Sequence, residues 1–157
     1  MIRPTSRVLT KFFMVTALFI SSVNVHAQDP NADIYGKWKI RALIGGGAVS
    51  SRSQNQVEKI IGKVATIRPE RFDFNGQSCA RPDYRRSKED PATYFDREWR
   101  TDVSDIPFPS PVTIIDTGCT TFLYPIRKNH LMIADDGDFF EAVRVSKLPG
   151  KRSQANR

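Results

Sequence analysis

The sequence predicts a mainly β chain: a small antiparallel barrel with one short helix and one disulfide. Three observations lead there. Apolar and polar residues alternate with a period of two in several short runs, the pattern of a strand with one buried face. Turn-forming residues separate those runs, among them Asn75-Gly76, Lys128-Asn129 and Asp136-Gly137. Two cysteines, Cys79 and Cys119, stand well apart in a chain that carries the marks of export.

Those marks come first. Arg3, Arg7 and Lys11 form a basic start, Phe12 to Ile20 an apolar stretch, and Val25-His26-Ala27 a small-residue end. This order is that of a cleaved secretory signal, residues 1–27, with the cut after Ala27. The apolar stretch is about half the roughly 20 residues that a membrane-spanning helix needs, so no membrane span is expected after cleavage. Cleavage removes three of the 24 basic residues and none of the 17 acidic ones, and lowers the net charge from +7 to about +4. The rest of the basicity is interspersed with acid. That argues against nucleic acid as a partner, which requires a clustered basic face. A periplasmic or secreted location follows.

Residues 28–148 then read as a single β-barrel domain, and 149–157 as a disordered basic tail. The first strand covers 35–44, with Trp38, Ile40 and Ala42 on one side and Lys37, Lys39 and Arg41 on the other. Gly45-Gly46-Gly47 is expected to end it in a flexible turn. Val57, Ile60 and Ile61 have helical spacing, closed by Gly62. Strands at 63–68 and 71–74 follow, joined by Pro69-Glu70. From Ser78 to Pro111 the pattern weakens, and Asp102 to Pro111, with three prolines at 107, 109 and 111, is expected to be an ordered crossing loop. Four strands finish the chain, at 112–116, 120–126, 130–134 and 139–145. Asp136-Gly137 between the last two is the strongest hairpin signal, because both residues tolerate positive φ.

About seven strands joined by tight turns describe a barrel or sandwich, and a barrel is expected because closure removes exposed edges. In an oxidising compartment Cys79 and Cys119 are expected to pair, with free thiols or a metal site as the alternatives. One remaining histidine, His130, is too few for a zinc centre. No metal and no cofactor is therefore expected.

Gly36-x-Trp38 on the first strand, together with Arg144 on the last, resembles the arrangement in lipocalins and related calycins. The resemblance implies a lipocalin-like barrel in which Trp38 closes one end and Arg144 packs across its indole as a cation–π contact. The spacing Phe72-x-Phe74-x-Gly76-x-x-Cys79, with Asp116-x-Gly118-Cys119, is also similar to that of small bacterial exported proteins. That second likeness implies no function.

For chemistry, no catalytic residue is expected. No nucleophile elbow, zinc-binding helix motif or phosphate-cradling loop occurs. His130 at a strand edge reads as structural. Binding is the better expectation. Arg81, Tyr84, Arg85, Arg86 and Lys88 form a basic, aromatic-bearing segment after Cys79, and Ser51 with Arg52 is a second candidate. Arg and Tyr are favoured at interface hot spots, and a disulfide would hold the segment in place. The expected function is a non-enzymatic periplasmic binding module for a protein or cell-wall component, such as an inhibitor of a hydrolase like lysozyme. The alternatives are a lipocalin-like carrier of a small apolar ligand inside the barrel, and a small periplasmic hydrolase.

Overall fold

The computed structural model of the chain describes residues 29–146. The signal segment 1–27 and the basic tail 149–157 lie outside the described residues. The fold is one antiparallel sheet of nine strands, curled into a half-barrel, with two helices. The strands are β1 (Gly36–Gly46), β2 (Val64–Arg68), β3 (Arg71–Phe74), β4 (Gln77–Ala80), β5 (Arg85–Glu89), β6 (Val112–Asp116), β7 (Thr121–Arg127), β8 (His130–Asp135) and β9 (Asp138–Ser146). The helices are α1 (Gln54–Glu58) and α2 (Pro91–Trp99).

Strand order across the sheet is β4-β3-β2-β1-β9-β8-β7-β6-β5. All neighbours are consecutive in the chain except β1 and β9. The two edge strands, β4 and β5, are themselves consecutive, and this forces the curl. Laid flat, they would be eight strand spacings apart, roughly 38 Å at ~4.8 Å each. The four residues between them, Arg81 to Tyr84, reach at most about 17 Å. The Cys79–Cys119 disulfide, with a Cα–Cα distance of 6.2 Å, fastens β4 to the β6–β7 loop across the same gap. Arg81 N–H donates to Glu70 O (2.9 Å) and Asp83 N–H to Thr117 O (3.0 Å), so the strap bridges both sides. No ladder joins β4 to β5. The expected closure is made by a strap and a sulfur bridge in place of hydrogen-bonded strands.

Period-two alternation locates the one-sided strands and explains what it misses. β1 to β3 bury one face, as Trp38, Ile40, Ile67, Phe72 and Phe74 indicate. On β8 and the start of β9 both faces are covered. Leu131, Ile133, Phe140 and Ala142 join the inner core under the curl, while Met132, Ala134 and Phe139 join a second, outer core. The outer core is covered by α2 and the 100–111 segment, through Tyr94, Phe95, Val103 and Phe108. Phe95 is its hub, with ring centroids 5.1 Å from both Phe108 and Tyr124 and 5.7 Å from Phe139.

The differences from expectation are local. Nine strands replace seven, because β4 and β5 are short edge strands with mostly exposed polar side chains and carry no apolar rhythm. A second helix, α2, lies in the stretch where the pattern weakens and no element was expected, and 102–111 is the loop expected. Asp90 caps it, accepting from Thr93 N–H at 3.0 Å, and Pro91 opens it. The first helix lies at 54–58 rather than 57–61, started by Ser53 N–H donating to Gln56 Oε1 (2.7 Å). The triple glycine is not a free turn. Gly45 and Gly46 belong to β1, and a Cβ on Gly47 would lie 3.1 Å from Trp99 O, so the run admits a close approach of helix α2.

Candidate functional site

The residues singled out by sequence fall into three places. Gly36, Trp38 and Arg144 meet at one end of the half-barrel. Gly36 opens β1 at φ 150°, and Trp38 pairs with Arg144 across the β1–β9 ladder. The Arg144 guanidinium lies 4.1 Å above the indole centroid. It also donates to Tyr35 O (2.6 Å) and to Asp33 O, while Trp38 Nε1–H donates to Ile34 O (2.8 Å). The start of β1, the end of β9 and the 31–35 turn are thereby tied together. Burial lowers the Arg144 pKa from its ordinary value, with Asp33 pulling the other way.

Ser51 and Arg52 lie at the opposite end, and Arg52 is committed internally. Its guanidinium donates to Asp135 Oδ2 (2.5 Å) and Asp138 Oδ2 (3.1 Å), and its side chain is only 10% exposed. Ser51 bonds Asp136 and Ser50 bonds Asp138 (2.7 Å). The segment closes over the β8–β9 hairpin, with the Arg52 guanidinium held against Asp135 and Asp138. Burial works against the Arg52 charge, but hydrogen bonds to Asp138 and Asp135 outweigh it and hold its pKa up.

The Arg81–Lys88 segment is divided. Tyr84 turns inward against Tyr35, with its hydroxyl donating to Arg68 O at 3.0 Å. Burial raises its pKa. Arg86 donates to Asn31 Oδ1 (2.7 Å) and pairs with Asp33. Arg85 stands between Asp83 and Asp116, at 3.3 Å from each. Successive residues of β5 point to opposite faces, so Arg85 and Arg86 are on different sides. Only Arg81 and Lys88 make no ion pair among the described residues, and the segment does not form one basic patch.

A basic patch does exist, on the polar side of the first strand. Lys37, Lys39 and Arg41 are exposed on the outer face of β1 and make no ion pair among the described residues. The ladders extend this face sideways. Val64 of β2, Lys39 of β1, Val143 of β9 and His130 of β8 are successive cross-strand partners and so share one side of the sheet. Val64 and Val145 are 45% and 53% exposed. The result is a row of cations set among uncovered valines. The alternation Lys-Trp-Lys-Ile-Arg was the available signal, but it does not tell that no helix among the described residues covers this part of the sheet.

At the margin of that face the two-residue turn Lys128-Asn129 sets out Arg127, Lys128 and His130. His130 Nδ1 is 2.7 Å from Glu141 Oε1. A carboxylate only accepts, so Nδ1 donates to it, and Arg127 flanks the same oxygen at 3.8 Å. Between this turn and the Trp38–Arg144 pair lies an open cleft of about 580 Å³. A smaller cavity of about 260 Å³ sits at the other end, between Phe72, Phe74 and the disulfide. Under the curl, Ile40, Ile67, Leu123, Ile133 and Phe140 belong to one core cluster. Among the described residues, no three His, Cys, Asp or Glu side chains are grouped to hold a metal ion.

No family model, no curated protein and no solved structure matches the chain.

Proposed function

We propose that the chain is a non-enzymatic binding module, working outside the cytosol, that docks an acidic macromolecule on the outer face of β1. The observation that carries this reading is the row Lys37, Lys39 and Arg41, exposed and without an ionic partner among the described residues. Flanking valines supply apolar contact, while the cations steer an oppositely charged partner. The reading moves the contact surface from the disulfide-pinned segment to the sheet. Arg86, Tyr84 and Arg52 already satisfy groups within the fold.

The specific version is a modulator of a cell-wall hydrolase such as lysozyme, whose acidic cleft has the complementary sign. Purified residues 28–157 are to be titrated against lysozyme at low and high salt, by calorimetry and by hydrolysis assay. Binding that weakens with salt, and that is lost in Lys37→Glu/Lys39→Glu, is the expected result. No binding and no inhibition removes the hydrolase version. Binding that the charge-reversed variant retains removes the β1 face.

A further inference from the structure

We propose that the free edge of β5 is a second docking surface, which adds an acidic segment of a partner protein as an extended strand. β5 ends the sheet, with β6 as its only ladder partner. Alternate backbone groups of an antiparallel strand face away from the strand it pairs with. An edge therefore presents a row of N–H and C=O groups with nothing to bond. Among the described residues, the backbone of Arg85–Glu89 makes no hydrogen bond besides the β6 ladder. Four of its five residues are exposed. The 31–35 turn meets only the start of the strand, where Asn31 Nδ2 donates to Tyr84 O (3.2 Å) and Asn31 Oδ1 accepts from Arg86. The opposite edge of the sheet, β4, is held to the β6–β7 loop by the disulfide.

Charge chooses the occupant. The strand reads Arg-Arg-Ser-Lys-Glu, and its one acid is already taken, with Arg97 2.8 Å from Glu89. Lys88 and the nearby Arg81 make no ion pair among the described residues. Arg85, though set between Asp83 and Asp116, has a side chain 68% exposed. Antiparallel pairing with a second copy, centred on Ser87, sets Arg86 against Lys88 twice, and like charges directly opposite destabilise a strand pair. A strand bearing carboxylates meets the same cations favourably. The charges that guard this edge against its own kind thus select an unlike partner. Main-chain bonds supply the affinity in strand addition, and here the cations supply the selection.

The probe is a capped peptide, Thr-Glu-Thr-Glu-Thr-Glu-Thr, titrated at low salt into isotope-labelled residues 28–157 and followed by amide hydrogen exchange. New protection is expected at the β5 amides that face away from β6. The same peptide with lysine in place of glutamate is expected to bind about tenfold more weakly. So is Thr-Glu-Pro-Glu-Pro-Glu-Thr, which keeps the charge but loses ladder donors. Lys88→Glu is expected to weaken the acidic peptide about fivefold. Lys37→Glu/Lys39→Glu is expected to leave the β5 protection unchanged, which separates this edge from the β1 face. No new protection in β5, protection at β4 in its place, or equal binding of the lysine or the proline peptide would each overturn the assignment.

Discussion

Arg52 is the residue on which the far end of the molecule depends. Asp135 and Asp138 are 8% and 4% exposed, and a buried carboxylate without a counter-charge is expensive. Arg52→Ala leaves both in that state and is expected to cost about 3–5 kcal/mol in denaturant unfolding. Lys88→Ala, at a solvated position, is expected to stay within about 0.5 kcal/mol. Equal effects from the two would show that the Arg52 network is not structural. The role of Arg52 was not legible in sequence. It lies 83 residues from Asp135, and a Ser-Ser-Arg-Ser loop looks the same whether its arginine points out or in. The Trp38–Arg144 contact was expected only through the resemblance to lipocalins carried by Gly36-x-Trp38 and Arg144; alternation alone does not say that the first and last strands are neighbours.

At the level of elements, the disulfide and the strap do the work that a ninth ladder would do in a closed barrel. Cys79→Ala/Cys119→Ala removes a link across 40 residues, worth about 3–4 kcal/mol in the loop-closure account. The loss is expected to be uneven. Hydrogen exchange should quicken in β4 and the Arg81–Tyr84 strap first, while β7 and β8, covered on both faces, keep their protection. Uniform quickening across the sheet would mean the link only restrains the unfolded chain. The element most clearly missed by periodicity was α2. Its start was written in Asp90-Pro91, a cap followed by the proline that favours a first helical turn, but its apolar face is aromatic and interrupted by Asp96, Arg97 and Glu98. β4 and β5 left no trace for another reason: edge strands facing water need no buried alternation.

For the whole molecule, the four tyrosines give a common readout. Tyr35, Tyr84, Tyr94 and Tyr124 are all pushed above the ordinary phenol value, each mainly by burial; the Tyr94 and Tyr124 hydroxyls lie 3.2 Å apart. The folded chain therefore keeps protons that the unfolded chain releases near pH 10. Stability is then fully present below about pH 10 and falls as pH rises beyond it. Ultraviolet titration should show little phenolate in the folded protein at pH 10, then an abrupt rise that coincides with loss of far-ultraviolet dichroism. A smooth rise centred at the ordinary value, with the fold intact, would contradict the packing described. The general architecture was readable from alternation and turn chemistry. The curl was expected too, as a barrel; that a strap and a disulfide, in place of a ladder, would make its seam was not, since it follows from which strands neighbour one another.

That neighbour relation also sets an order of events in time. β1 and β9 are the first and last strands, yet they lie side by side and pair along most of their length. Until β9 arrives, residues 36–80 and residues 85–135 are two half-sheets with no ladder between them. A chain delivered from its N-terminus, whether by a ribosome or through a membrane pore, holds the open side of β1 unpaired until nearly all of it has emerged. An unpaired strand edge invites association with other chains, so a helper that shields β1 during delivery would gain the most from this topology, and a chain stopped before residue 138 would have only the strap and the disulfide, and no ladder, to join its halves.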